Sequence, residues 1–168
     1  RQAKTVFAGC PYLKKDLENR HSALKPVLLL NGQPVYKGER DKHIRESAGL
    51  SAEIPVVLYI GYIVAGRGME EFILSSPLIK SPVHCVAIGP GSDLYIESLH
   101  RLIDKCGAHG CFSILPPVPG NQVVKIASGA DIGISPIAGD FGNGRFVLNN
   151  KLFQYIAAGL PVLASDVE

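Results

Sequence analysis

From Val56 onward the chain repeats one pattern: a short apolar run, then a longer segment whose apolar residues recur at helical spacing. The runs are Val56–Ile60, His84–Ile88, Phe112–Leu115, Asp131–Ser135 and Val162–Ala164, and the spacing predicts helices near Arg67–Ser75, Asp93–Cys106, Asn121–Ser128 and Asn150–Ala158. Strands apolar along their whole length need cover on both faces, and strict alternation with helices supplies it. The expected fold is therefore α/β: a Rossmann-like open parallel sheet with helices on both faces and right-handed crossovers.

In such sheets ligands bind beyond the carboxyl ends of the strands, so the exits are the first place to search. They read Gly61-Tyr62 with Ala65-Gly66-Arg67-Gly68 behind, Ile88-Gly89-Pro90-Gly91, Leu115-Pro116-Pro117-Val118, and Ser135-Pro136 leading into Gly139–Phe146. Any one of these is an ordinary turn; clustered on one rim, they form a site. The last leads into Asn149–Asp166, NNKLFQYIAAGLPVLASD. Asn149 or Asn150 is a natural N-cap, with Leu148 placed to staple against Phe153. Leu152, Phe153, Tyr155, Ile156 and Ala157 offer an apolar face. Gly159 and Pro161 stop the helix before a buried strand. A glycine-rich loop feeding a helix N-terminus suits phosphate, because free amides and the positive dipole end face the ligand.

The first third is less regular. Thr5–Gly9 and Pro26–Leu30 read as strands around a Pro11–Arg20 helix, closed by the Asn31-Gly32 turn. Gln33–Gly38 looks like a linker, and Asp41–Ala48 a polar helix closed by Gly49.

Composition narrows the function classes. With 46% hydrophobic and 19% charged residues over 168 positions, the chain can bury a full core. A net charge of +2 without a basic run speaks against nucleic acid as a partner. No apolar run is long enough for a transmembrane helix. The chain starts at Arg1, not methionine, and is expected to be a piece of a longer protein. Cys10, Cys85, Cys106 and Cys111 match no disulfide framework. Cys106, His109 and Cys111, with His100 nearby, lack a paired CxxC and read as buried thiols, Cys111 opening a strand, beside a surface histidine.

The block KLFQYIAAGLPVLASD, with the glycine-rich exits in order before it, resembles the C-terminal domain of GT-B glycosyltransferases of the retaining "group 1" type, from about Asn31 to Asp166. The resemblance implies that residues 1–33 are the remnant of an N-terminal acceptor domain plus linker. Residues 34–168 would be the nucleotide-sugar-binding domain, cut short at its end. It implies transfer of a sugar from a nucleoside-diphosphate (such as UDP) sugar to an acceptor held by the missing domain, in cell-envelope or polysaccharide biosynthesis. The enzyme would be cytoplasmic, with peripheral association at the inner face of the membrane as an option, and would need no metal or cofactor. Gly61, Arg67, Asn150, Lys151 and Leu152 would hold the donor phosphates; Gly89, Pro117, Val118 and Gln154 the nucleoside; Asp140, Phe141 and Gly142 the sugar. Catalytic residues are not identifiable in this stretch.

Three positions depart from the family pattern: Tyr62 stands where an arginine is usual, and Phe146 and Gln154 where carboxylates are usual. Arg145 is one substitute for the lost cation, a solvated loop charge the other reading. Lys151 has the same two readings, and Arg67 is either a phosphate ligand or a solvated partner of Glu70 or Glu71. The departures keep open a degenerate, non-catalytic binding module, and the fold keeps open a nucleotide-sugar epimerase. A receiver-like or dinucleotide-binding domain is disfavoured, because neither an acidic cluster nor GxGxxG follows the first strand.

Overall fold

The computed structural model describes residues 4–136 and 149–166. Its centre is a five-stranded, wholly parallel sheet of β3 (Val56–Ile60), β4 (His84–Ile88), β5 (Phe112–Leu115), β6 (Ile132–Ser135) and β7 (Val162–Ala164) in the order β5-β4-β3-β6-β7. Strand order reverses between β3 and β6, so the crevice beyond their carboxyl ends is the topological switch point.

Alternation along the strands divides the core in two. Val56, Leu58, Ile60, Val86 and Ile88 face one side, packed with Ile44 of α2 (His43–Ala48), Ile126 of α5 (Val123–Ala127) and Tyr155 of α6 (Asn150–Ala157). Tyr59, Cys85, Ala87 and Phe112 face the other, against Phe72 of α3 (Met69–Ser75) and Leu99 of α4 (Asp93–Cys106). Both layers are apolar, which is why β3 and β4 read as continuous hydrophobic runs. Ser92 caps α4 and Asn149 caps α6, each side chain accepting a first-turn amide.

The first third makes its own small unit: β1 (Phe7–Ala8) pairs in parallel with β2 (Val27–Leu28) across α1 (Pro11–Arg20) and does not join the larger sheet. The connecting segment then lies against the sheet's amino-terminal edge. The Tyr36 amide donates to the Ala157 carbonyl at 2.8 Å. Arg40 and Arg45 both bond Asp131, at 2.6 and 3.0 Å. Asp131 in turn accepts the Val56 amide at 2.7 Å, so one carboxylate ties linker, α2 and β3 together.

Several boundaries differ from the sequence expectation for physical reasons. Helix α3 starts at Met69, not Arg67, because Gly68 before it is left-handed. The predicted helix over Asn121–Ser128 opens as a 3-10 turn, Gly120–Gln122. Cys111 is not a strand residue; its amide closes a turn on Ala108 and β5 begins at Phe112. Ile156 is 59% exposed and does not share the packed face of α6. Leu148, the expected staple, lies outside the described residues.

Candidate functional site

Because the strands are parallel, their exits share one rim. The Gly61 amide continues the β3–β4 ladder by donating to Ile88 O at 2.9 Å, and Ile63 N follows to Pro90 O at 2.8 Å. Any Cβ at Gly89 would overlap the Gly61 carbonyl, so the exits of β3 and β4 pack backbone on backbone. On the other side of the switch point, Asn149 Nδ2 donates to Ser135 Oγ at 3.3 Å while Asn149 Oδ1 caps Lys151 N at 3.3 Å. One side chain thus sets where α6 begins relative to the end of β6.

Lys151 is the unexpected feature. It is 4% exposed, so the reading of a solvated helix-start lysine is wrong. Its stem runs beneath Gly61, where an added Cβ would come within 2.9 Å of Cε, and its Nζ lies 4.6 Å from the centre of the Tyr59 ring. Tyr59 belongs to the α3/α4 layer and α6 to the other, so Lys151 crosses the sheet's end through the gap left by a missing side chain. Gly61 has φ +140°, a conformation in which a side chain would also be strained.

Arg67 meets Lys151 there. Its charge acts on both the Tyr59 hydroxyl and the Lys151 ammonium. Burial, then the Arg67 charge, pushes the Lys151 ammonium down to about 8. Burial pushes the Tyr59 hydroxyl up to about 12, with Arg67 pulling the other way. No ion pair among the described residues includes Arg67 or Lys151. Glu70, a candidate partner for Arg67, instead accepts the Tyr95 hydroxyl at 2.7 Å. A buried lysine with a half-buried arginine acting on it, and no carboxylate paired with either among the described residues, suits a strong anion.

Of the other sequence candidates, Asn150 and Leu152 flank Lys151 in the first turn of α6, Asn150 exposed and Leu152 half-buried. Gly89 is buried against Gly61. Pro117 is exposed and Val118 half-buried on the exit of β5, two strands from the switch point. Gln154 is half-buried one turn along α6. Asp140, Phe141, Gly142, Arg145 and Phe146 lie outside the described residues. Tyr62 is 65% exposed, and its carbonyl accepts the Tyr59 hydroxyl at 2.6 Å. The cysteine–histidine cluster does not converge on a metal-binding group: His109 Nε2 faces Asp104 at 3.2 Å and Cys111 Sγ lies 3.6 Å from Ser76 Oγ.

Sequence reasoning missed Tyr59 and Ser135 because both sit inside strands, where a residue reads as core. The available signal was a tyrosine two residues before the glycine at the β3 exit.

An open parallel sheet of this strand order, with helices on both faces, defines a Rossmann-like α/β domain. The family model for glycosyl transferases group 1 matches residues 54–168, and the chain belongs to that family. No curated protein matches it in sequence. Solved structures share its fold at low identity. HepE from Anabaena, in complex with UDP-glucose, is 15% identical with a TM-score of 0.75 over 99% of this chain and 46% of its own. Sucrose-phosphate synthase from Thermosynechococcus elongatus is 18% identical with a TM-score of 0.76, over 99% and 41%. WaaG, a glycosyltransferase involved in lipopolysaccharide biosynthesis, is 16% identical with a TM-score of 0.66, over 97% and 44%. The chain spans less than half the length of each.

Proposed function

We propose that this chain is the donor-binding part of a glycosyltransferase that takes its sugar, with retention, from a nucleoside diphosphate, and that the nucleotide is uridine diphosphate. The carrying observation is Lys151, buried at the β3–β6 switch point with the half-buried Arg67 acting on it, neither in an ion pair with a carboxylate among the described residues. The leaving diphosphate gains charge as the glycosidic bond breaks. Cations and amides already aimed at that charge stabilise the transition state more than the ground state. Arg67, Lys151, the Gly61 exit and the first-turn amides of α6 at Asn150–Leu152 supply that field. Gly89, Pro117, Val118 and Gln154 flank the nucleoside, Gln154 offering neutral hydrogen bonds to the ribose where a carboxylate would offer charged ones. Asp140, Phe141 and Gly142 are assigned to the sugar. The chemistry asks for no metal, because two fixed cations neutralise the diphosphate.

The remaining assignments follow from the same reading. Residues 1–33 belong to an acceptor-binding domain and linker, and 34–168 to the donor domain. The acceptor is a sugar or glycan in cell-envelope or polysaccharide synthesis, and the protein works on the cytoplasmic side, at or near the membrane. No helix among the described residues is long and apolar enough to cross a membrane.

Calorimetric titration tests the proposal. UDP is expected to bind, and Arg67→Ala to weaken it by about 1.5–3 kcal/mol, the scale of a hydrogen bond to a charged group. Uridine affinity stays unchanged. Equal losses for uridine and UDP, or no loss for either, would reject Arg67 as a phosphate ligand. Donor turnover by the full-length protein separates the enzyme from a degenerate binding module, and an epimerised nucleotide sugar would mark an epimerase.

A further inference from the structure

Resting on the donor-site reading, we propose that the Asn149 side chain is a stand-in for the donor phosphate: its carbonyl holds the Lys151 amide, and an incoming diphosphate displaces it.

Two acceptors compete for one proton. Asn149 Oδ1 accepts the Lys151 N–H at 3.3 Å and so caps α6. The donor-site reading gives that same N–H to the diphosphate. One N–H serves one good acceptor, so cap and phosphate exclude each other. The rest of the first turn stays put. Leu152 N is held by the Asn149 backbone carbonyl at 3.1 Å, a bond that a moving side chain does not break. Only the side-chain bond has to go.

The exchange favours phosphate. A separation of 3.3 Å is just beyond the usual N–H···O range of about 2.7–3.2 Å, and the Asn149 acceptor is neutral. A phosphate oxygen carries charge, which makes a shorter and stronger bond and suits the positive end of α6. The same residue brings a second attraction: the Lys151 ammonium is buried and in no ion pair among the described residues. Asn149 stays close once displaced. Its Nδ2 donates to Ser135 Oγ at 3.3 Å, and Ser135, at the end of β6, is buried. The tethered carbonyl takes the amide back when it can, so it competes with bound nucleotide and speeds its departure. Asn149 itself has φ −68° and ψ 133°, extended values open to any residue, so its substitution does not strain the backbone.

The test is the linkage between folding and binding, measured on the full chain with UDP, uridine and inorganic pyrophosphate. Asn149→Ala removes the cap and is expected to lower the denaturation midpoint without nucleotide. It is expected to bind UDP and pyrophosphate about 3- to 10-fold more tightly, with uridine unchanged, because no cap has to be broken. At saturating UDP its stability deficit is expected to vanish, since wild type gives up the same bond on binding. A purely structural cap would keep that deficit with or without UDP. Asn149→Gly, which costs a helix start little, is expected to shift affinity in the same direction, and it answers if Asn149→Ala does not fold. Asn149→Asp keeps the cap and sets a charge against the phosphate; it is expected to bind UDP about tenfold more weakly. Unchanged or weakened UDP affinity in Asn149→Ala and Asn149→Gly would overturn the exchange while leaving the donor site intact, as would wild-type affinity in Asn149→Asp. A wild-type chain that binds neither UDP nor pyrophosphate would overturn both.

Discussion

The Tyr155 hydroxyl accepts the Ile60 amide at 3.0 Å and shares its proton between the carbonyls of Leu58 and Ile134, each at 3.1 Å. The paired register of β3 with β6 ends at Leu58 opposite Gly133, and the tyrosine takes up the backbone groups that the ladder leaves. It can do so because Gly133 has no side chain: a Cβ there would overlap the Tyr155 ring. Helix α6 is thus bonded to the sheet at the mouth of the switch point, four residues from Lys151. Tyr155→Phe would leave a buried amide without an acceptor, at a cost of about 1–3 kcal/mol. Urea unfolding is expected to show a lowered midpoint with an unchanged slope. A variant as stable as wild type would mean that water reaches Ile60 N.

A second prediction concerns the amino-terminal edge. Burial raises the Asp131 carboxyl, but bonds from Arg40, the Val56 amide and Arg45 outweigh it and hold it below the ordinary carboxylate range. Since the folded value is depressed, Asp131 stabilises the fold above its unfolded pKa, and this contribution is lost as pH falls through the folded value. Asp131→Asn is expected to cost about 1–2 kcal/mol at neutral pH, kept modest by partial exposure of the pair with Arg40, and to flatten the acid limb of the stability profile. An unchanged acid limb would assign that limb to other carboxylates.

The architecture was legible in the sequence because parallel strands buried on both faces leave an unambiguous record. Val56–Ile60, His84–Ile88, Phe112–Leu115 and Val162–Ala164 are strands with the bounds their apolar runs predict. The ends that slipped, at Arg67 and Asn121, are places where local backbone geometry decides and apolar periodicity is silent. Gly61, Arg67 and Lys151 could be nominated from their place at exits and caps. That Lys151 is buried could not, because its burial depends on Tyr59 in β3 and Gly61 at its exit, about ninety residues away in sequence. The same holds for Tyr155, whose side chain reads as core and whose hydroxyl completes a sheet.

Lys151 gives a third prediction, in which folding and binding respond to pH in opposite senses. Its folded value of about 8 lies below the ordinary lysine value of 10.5, so the unfolded chain binds more protons between those limits. Stability therefore carries the full penalty of a buried ammonium below about 8 and gains as pH rises toward 10.5. A bound diphosphate favours the charged form, so UDP affinity is expected to hold below about 8 and to fall above it, by up to about tenfold per pH unit. Lys151→Met is expected to remove both effects. Parallel denaturation and titration series from pH 7 to 10 check this; affinity and stability moving together would place the titrating group elsewhere.

The last prediction turns on the gap that Lys151 passes through. An alanine at position 61 meets Lys151 Cε at 2.9 Å and inherits φ +140°. The lysine end is flexible and yields cheaply, so the stability cost comes mainly from the backbone, about 1–3 kcal/mol. The functional cost is of a different kind. Displaced from beneath residue 61, the ammonium leaves the Tyr59 ring and returns toward solvent, where its pKa rises toward the ordinary lysine range and its attraction for phosphate is screened. Gly61→Ala is therefore expected to bind UDP about as weakly as Lys151→Met, with uridine affinity retained and the loss of affinity above pH 8 abolished. If Gly61→Ala keeps wild-type UDP affinity and its pH dependence, the route beneath Gly61 is not needed to present the charge.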